Sequence, residues 1–138
     1  MAVTGIEAVV LLVGRVLFGG VLAFMGLNHF LNTDDMTAYA AQKSVPAPRL
    51  SVLGSGAALV IGGLGITLGT YPLLASGLVA VFLLASAVLM HGFWAVPAED
   101  RRTEMTQFLK NVVMAGGALI LAAVSLEVWA YSLGIGLF

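Results

Sequence analysis

Four apolar stretches, at residues 6–30, 50–70, 72–94 and 108–133, fill most of the chain. Each is about 20 residues or longer, and at about 1.5 Å per residue such a helix crosses a hydrocarbon core of about 30 Å. Backbone groups in lipid must bond internally, so a spanning segment is either a helix or a strand of a closed barrel. Runs such as Leu78-Val79-Ala80-Val81-Phe82-Leu83-Leu84-Ala85 lack the alternation of a barrel strand. The expected fold class is therefore all-α integral membrane, a single four-transmembrane-helix bundle over residues 1–138.

Composition excludes several function classes. Charged residues make up 9% of the chain and hydrophobic residues 60%, against about 25% charge in a soluble domain. A formal net charge of -1 provides no basic field for nucleic acid. The absence of cysteine removes disulfides, thiolate metal sites and thiol relays. The first stretch has no basic flank before it, is too long for a signal-peptide core and ends in Asn28-His29-Phe30. It reads as a retained first helix.

Lys43, Arg49, Arg101, Arg102 and Lys110 all flank the connections at 31–49 and 96–107. The positive-inside rule places both connections in the cytoplasm and both termini outside. Trp94, Trp129, Tyr71 and Tyr131 lie near segment ends, where an aromatic belt is expected. In the first connection, Asn32-Thr33-Asp34-Asp35 offers caps for a short interfacial helix over 36–42. The prolines of Val45-Pro46-Ala47-Pro48 predict extended backbone at Val45 and Ala47. The turn at Thr70-Tyr71-Pro72 makes the second and third helices antiparallel neighbours. Gly54, Ala58, Gly62, Gly65 and Gly69, and later Ala115 to Ala118, form small-residue faces that let helices approach closely.

Arg15 lies about nine residues into the first segment, near the expected bilayer centre, where Arg costs at least ~2.5–3.5 kcal/mol. It calls for a partner. Glu127, on the antiparallel fourth segment, is the first candidate and Glu7 the second. Two readings stand: a contact for an anion, a proton or a quinone carbonyl, or a structural ion pair that fixes helix register. A second constellation gathers at the cytoplasmic end. His29 closes segment one, His91 lies near the end of segment three, and Lys110 and Asn111 begin segment four. Asn28 and Trp94 add an amide and an indole. Donors at one end of an apolar cavity suit a lipid head group or quinone ring; the same residues also serve as helix-end caps. Arg15 and His29 share a helical face with Gly19, Leu22 and Gly26, either a groove for a flat ligand or a seat for a neighbouring helix. Two histidines at one depth suit a b-type haem, but a multi-haem cytochrome needs two pairs, so haem is not expected. No metal site is expected either, since Asp34-Asp35 read as helix caps.

These patches resemble the DoxX family of small four-helix membrane proteins. Arg15-Val16-Leu17-Phe18-Gly19 through Gly26-Leu27-Asn28-His29-Phe30 resembles its first helix. Val45-Pro46-Ala47-Pro48 with Gly62-Gly63 and Leu68-Gly69 resembles its loop and second helix. Met90-His91-Gly92-Phe93-Trp94, Phe108-Leu109-Lys110-Asn111 and Gly116-Gly117 resemble the third and fourth. The resemblance implies a cytoplasmic-membrane bundle, and in some members a small subunit of thiosulfate:quinone oxidoreductase. Members often carry an acidic residue just before the second helix's glycine pair, where this chain has Ala57-Ala58-Leu59. The leading expectation is a subunit of a quinone-linked redox complex that binds a quinone or similar lipophilic molecule beside a membrane or peripheral redox protein. Second comes a non-enzymatic scaffold or assembly factor that binds partner helices through its glycine faces. Third comes a small transporter, which needs a homo-oligomer to complete a pathway.

Overall fold

The protein is an all-α integral membrane bundle. The structure, a computed structural model, describes residues 2–136. Among the described residues, four helices are long and apolar enough to cross a membrane: α1 (Ile6–Leu31), α3 (Pro48–Leu68), a stretch over Pro72–Ala95 whose α-helical part is α4 (Pro72–Met90), and α5 (Ala98–Val124). A short helix, α2 (Thr33–Gln42), joins α1 to α3. Two short strands, β1 (Ala2–Val3) and β2 (Val128–Trp129), pair in parallel and tie the two ends of the chain together.

The prolines set two helix starts. Pro48 and Pro72 each stand in the first turn of α3 and α4, where a missing N–H costs nothing. Ala47 before Pro48 is left-handed (φ 44°), not extended as the sequence predicted. The left-handed conformation also avoids the αR clash with the proline ring, and it turns the chain sharply into α3. Ser51 Oγ closes that turn on the Pro46 carbonyl at 2.6 Å. Gly69, with φ 67°, ends α3 as the left-handed residue beyond a helix commonly does.

Packing runs α1 on α3, α3 on α4 and α4 on α5, with α2 against α3. The core comprises Leu22, Leu59, Ile66, Val79, Leu83, Ala115 and Ala118 with their neighbours. The α3 glycines serve two sides. Gly56 and Gly63 lie against α1, and Gly62 and Gly65 against α4. The α1 glycines seat α3 in return, so the face of Gly19 and Gly26 is filled by a helix and is not a ligand groove. A Cβ at Gly26 would meet Gly56 O and Leu59 Cβ at 2.7 Å. Gly26→Ala is therefore expected to cost about 1–3 kcal/mol through overpacking. Gly116→Ala, with nothing within 4 Å of the added carbon, is expected to cost nothing. Melting temperatures of both variants in detergent check this, and equal values would contradict the packing.

Of the boundaries that differ from the sequence reading, three bear on the site. Helix α2 begins at Thr33 rather than residue 36, and its polar start does not cap it. Thr33 Oγ1 instead donates back to the His29 and Phe30 carbonyls at 2.9 and 3.0 Å, closing the end of α1. Helix α5 begins at Ala98, inside the expected connection 96–107, because Pro97 starts a helix whose first turn carries Glu99 and Asp100. The same helix stops at Val124, nine residues before the expected end at 133. Residues 125–136 then fold back over the end of the bundle. Leu133 N donates to Leu68 O, Tyr71 N to Ile135 O, and the Trp129 indole N–H to Val124 O.

Candidate functional site

Arg15 sits under this returning tail. It is fully buried. Its Nε donates to Ile66 O at 3.1 Å and Nη2 to Thr67 O at 2.8 Å. Nη1 donates to Ala130 O and Nη2 also to Tyr131 O, both at 3.1 Å. The guanidinium lies 5.0 Å from the centre of the Trp129 ring. Its four hydrogen bonds thus end on main-chain carbonyls, in place of the expected pairing with Glu127 or Glu7. The reason is the early end of α5: Glu127 lies on the tail, not on a spanning helix, and the tail brings carbonyls to the guanidinium. Glu7 is exposed near the start of α1.

These bonds complete a helix end. The last carbonyls of α3 have no intrahelical donors. Gly65 O takes Gly69 N and Thr70 N, and beyond it Ile66 O and Thr67 O take Arg15 and Leu68 O takes Leu133 N. A cation there also opposes the negative end of the helix dipole. Arg15 lies level with the end of α3, not midway along the bundle. A π-helical stretch, Val16–Gly20, follows it directly and breaks the regular α-helical phase of α1. Arg15 and His29 nonetheless both contact α3. Trp129, expected in an interfacial belt, is buried against Arg15.

The opposite end, which carries the basic connections, holds a cavity of about 790 Å³ between α1, α2, α3, α4 and α5. Its walls are apolar, with Leu22, Met25, Phe82, Leu83, Met90 and Met114 among them. Its polar groups include His29, Ser55, Ser86, His91, Lys110 and Asn111. The size lies in the range of about 300–1,000 Å³ usual for small-molecule pockets. His29, His91, Lys110 and Asn111, grouped by depth in the sequence, thus line one space. Asn28 and Trp94 do not join them. Asn28 is exposed and accepts from Asn32 Nδ2 at 2.6 Å. Trp94 is exposed and stacks edge-on against Phe93 and Phe108. Arg15 is at the other end of the bundle.

Both imidazoles are oriented through Nδ1. The Ser55 hydroxyl donates to Val52 O at 2.9 Å, so its oxygen accepts from His29 Nδ1–H at 2.8 Å. His91 Nδ1–H donates to Glu104 Oε2 at 2.8 Å. The network assigns each proton to Nδ1, which leaves Nε2 as the ring atom with a free lone pair in the neutral form. Asn111 Nδ2 donates to Ser86 Oγ at 3.3 Å across α4 and α5.

Glu104 is the residue that sequence reasoning missed. It is buried, and its two oxygens join three elements: Oε2 takes His91, just past α4, and Oε1 takes Lys43 Nζ at 2.7 Å, just past α2. Lys43 and His91 each follow the last residue of their helix, where a basic group is favoured. The hydrogen bond to Glu104 holds the Lys43 ammonium above the usual lysine range. With the Lys43 pKa raised and the Glu104 pKa lowered, that pair contributes stability at neutral pH and loses it as pH rises through the raised lysine value or falls through the lowered carboxyl value. Pro97 followed by Ala98-Glu99-Asp100 was the available signal that Glu104 stands on a helix. A second ion pair, Arg49 with Asp34 at 2.7 Å, is exposed and worth little.

Comparison with known proteins agrees with this architecture. Residues 10–92 match the model of the DoxX family. The inner membrane protein YphA of Escherichia coli strain K12 is similar to this chain, with 27% identity over 114 residues, 83% of this chain and 81% of the relative. No solved structure matches the chain.

Proposed function

The chain belongs to the DoxX family, and we propose that it is a small subunit of a quinone-linked redox assembly, binding a quinone or similar lipophilic ring in the cavity at its basic end. The cavity is the observation that carries this reading. Apolar walls accept a hydrophobic ring and tail, and Lys110, Asn111, His29 and His91 offer polar contacts to ring oxygens at one end. The described residues form the membrane bundle alone, and this reading gives the electron-transfer cofactor to a partner protein. Wild-type protein in detergent is expected to bind a short-chain ubiquinone analogue. His91→Leu and the cavity-filling Ala58→Phe are expected to weaken that binding about tenfold or more, with the bundle still folded. Unchanged binding in both variants, or no binding by the wild type, would favour the scaffold reading instead.

The site is placed in the cytoplasmic membrane, as the relative's description as an inner membrane protein supports. The basic residues then face the cytoplasm and both termini face outward. The chain has no cysteine, which makes labelling direct. A cysteine at Ser132 is expected to react with an impermeant maleimide from outside, and one at Arg101 only after the cytoplasmic face is opened. The reverse pattern would invert the assignment.

A further inference from the structure

The cavity is covered at the basic end and open at the side. Helix α2 and the turn after it lie across the basic end, where Met36, Tyr39, Ala40, Val45 and Pro46 line the space. The Lys43–Glu104 ion pair, with His91 on the other carboxylate oxygen, fastens the end of α2 to α5 and α4. Among the described residues, packing passes from α1 to α3, α4 and α5, and does not close in the same way from α5 back onto α1. The Phe18 ring of α1 faces Gly117 of α5, where an added Cβ would meet it at 3.2 Å. Toward the basic end, Leu22, Met25 and His29 follow Phe18 along α1, and Met114, Lys110 and Gln107 precede Gly117 along α5, at three- and four-residue spacing. All six line the cavity. Met25 and Lys110 each stand two turns, about 10 Å, from the Phe18–Gly117 level. Met25 is 43% exposed and Lys110 is exposed, so the cavity reaches the lipid between α1 and α5. A shallower depression of about 430 Å³ adjoins it on α5, lined by Thr106, Leu109, Lys110, Val113 and Met114. The two spaces share Lys110 and Met114.

Resting on the cavity as a site for a quinone-type ring, we propose that the ligand is a long-tailed quinone drawn from the bilayer through the gap between α1 and α5. The ring sits toward the basic end, and the tail stays in the gap and along the α5 depression. The gap lies between two spanning helices, so what fills it in the membrane is apolar. Leu22, Met25 and Met114 suit an isoprenoid chain, and the unbranched methionines adapt to one that slides past them. Lys110 stands at the mouth, its stem apolar and its tip charged, and attracts a ring oxygen without blocking the tail. A tail left among lipids gives up no apolar burial when the ring moves in. Admission from water would require α2 to lift and the buried Lys43–Glu104 pair to break, which leaves charges uncompensated. Glu104 is therefore a latch on the covering helix. It is not part of the cavity lining.

The test uses the full chain in liposomes, carrying Met25→Cys and Met114→Cys in the otherwise cysteine-free sequence. A short bis-thiosulfonate bridges α1 to α5 and is removed by reduction. A ubiquinone with a long isoprenoid tail is added, and the ligand retained on the repurified protein is measured at successive times. The bridged protein is expected to load at least about tenfold more slowly than the same protein after reduction. Bridging after loading is expected to trap the ligand and slow its loss to empty liposomes by about the same factor. If the double variant does not fold, wild-type protein is irradiated with a quinone that carries an azide in the first unit of its tail. Label is then expected on Leu109 and Val113, displaced by unlabelled long-tailed quinone. Equal loading in bridged and reduced protein, or competed label on Met36 and Tyr39 instead, overturns the lateral route alone and leaves the gap as a seat for a partner helix. No retention of either a long-tailed or a tail-less quinone by wild-type protein overturns the cavity reading and the lateral route together.

Discussion

Arg15→Met is expected to destabilise the bundle by about 3–5 kcal/mol, the scale on which a buried polar cluster fails when its charged member is removed. The substitution keeps much of the side chain's apolar length, so the loss is specific to the guanidinium. Four carbonyls, of Ile66, Thr67, Ala130 and Tyr131, lose their donor, the first of them in a buried site and the others in part-buried ones. The tail then loses part of what holds it on α3. Hydrogen exchange is the direct measurement, because Leu133 N–H and Tyr71 N–H are both held by the closed tail. Both amides are expected to exchange much faster in Arg15→Met. Arg15→Lys is expected to restore only part of the protection, since one ammonium cannot reproduce a fork that reaches two elements. Exchange unchanged from wild type would show that the strands and the Trp129 contact hold the tail without Arg15.

Glu104→Gln is the second large effect, also expected at about 3–5 kcal/mol. Lys43 and His91 both donate to the carboxylate. A glutamine offers Lys43 only a neutral acceptor and meets His91 with an NH₂, which shifts the imidazole to its other tautomer and leaves the Lys43 charge without a counter-ion. The lost ion pair loosens α2, because Lys43 leads directly from its last turn. Thermal unfolding in detergent, compared with Glu99→Gln on the exposed first turn of α5, measures the difference. Equal melting temperatures for the two variants would remove Glu104 from its structural role.

Much of the bundle was legible because lipid imposes so narrow a choice. The apolar runs placed the four spanning helices; the starts at Ile6 and Pro72 were as expected, while α3 begins at Pro48, two residues before the expected start at 50. The fourth span was not legible in the same way. Leu126, Val128, Trp129 and Leu133 continue the apolar pattern past the true helix end, and hydropathy cannot separate a helix from a covering tail. What sets the tail is long-range pairing with Ala2–Val3, Leu68 and Tyr71. That error moved Glu127 onto a helix and hid the carbonyls that bind Arg15. At the basic end, chain direction alone brought His29, His91, Lys110 and Asn111 to one depth. It did not fix their azimuth. Asn28 precedes His29, and one residue turns the side chain by about 100° around a helix, away from the cavity. Glu104 was passed over because charges between Pro97 and Gln107 read as a solvated loop, whereas a helix there carries one carboxylate inward.

The central claim, that the cavity receives a lipophilic ring, is tested most directly by photolabelling. Wild-type protein in liposomes with an azido-quinone would be irradiated and the adducts located by peptide mass spectrometry. Label is expected on cavity residues such as Met25, Phe82, Met90 and Met114, displaced by excess unlabelled quinone and lost in Ala58→Phe. Label spread over outward residues such as Phe24, Val81 and Ile120, insensitive to competitor, would mean that the quinone meets this protein only as a lipid does.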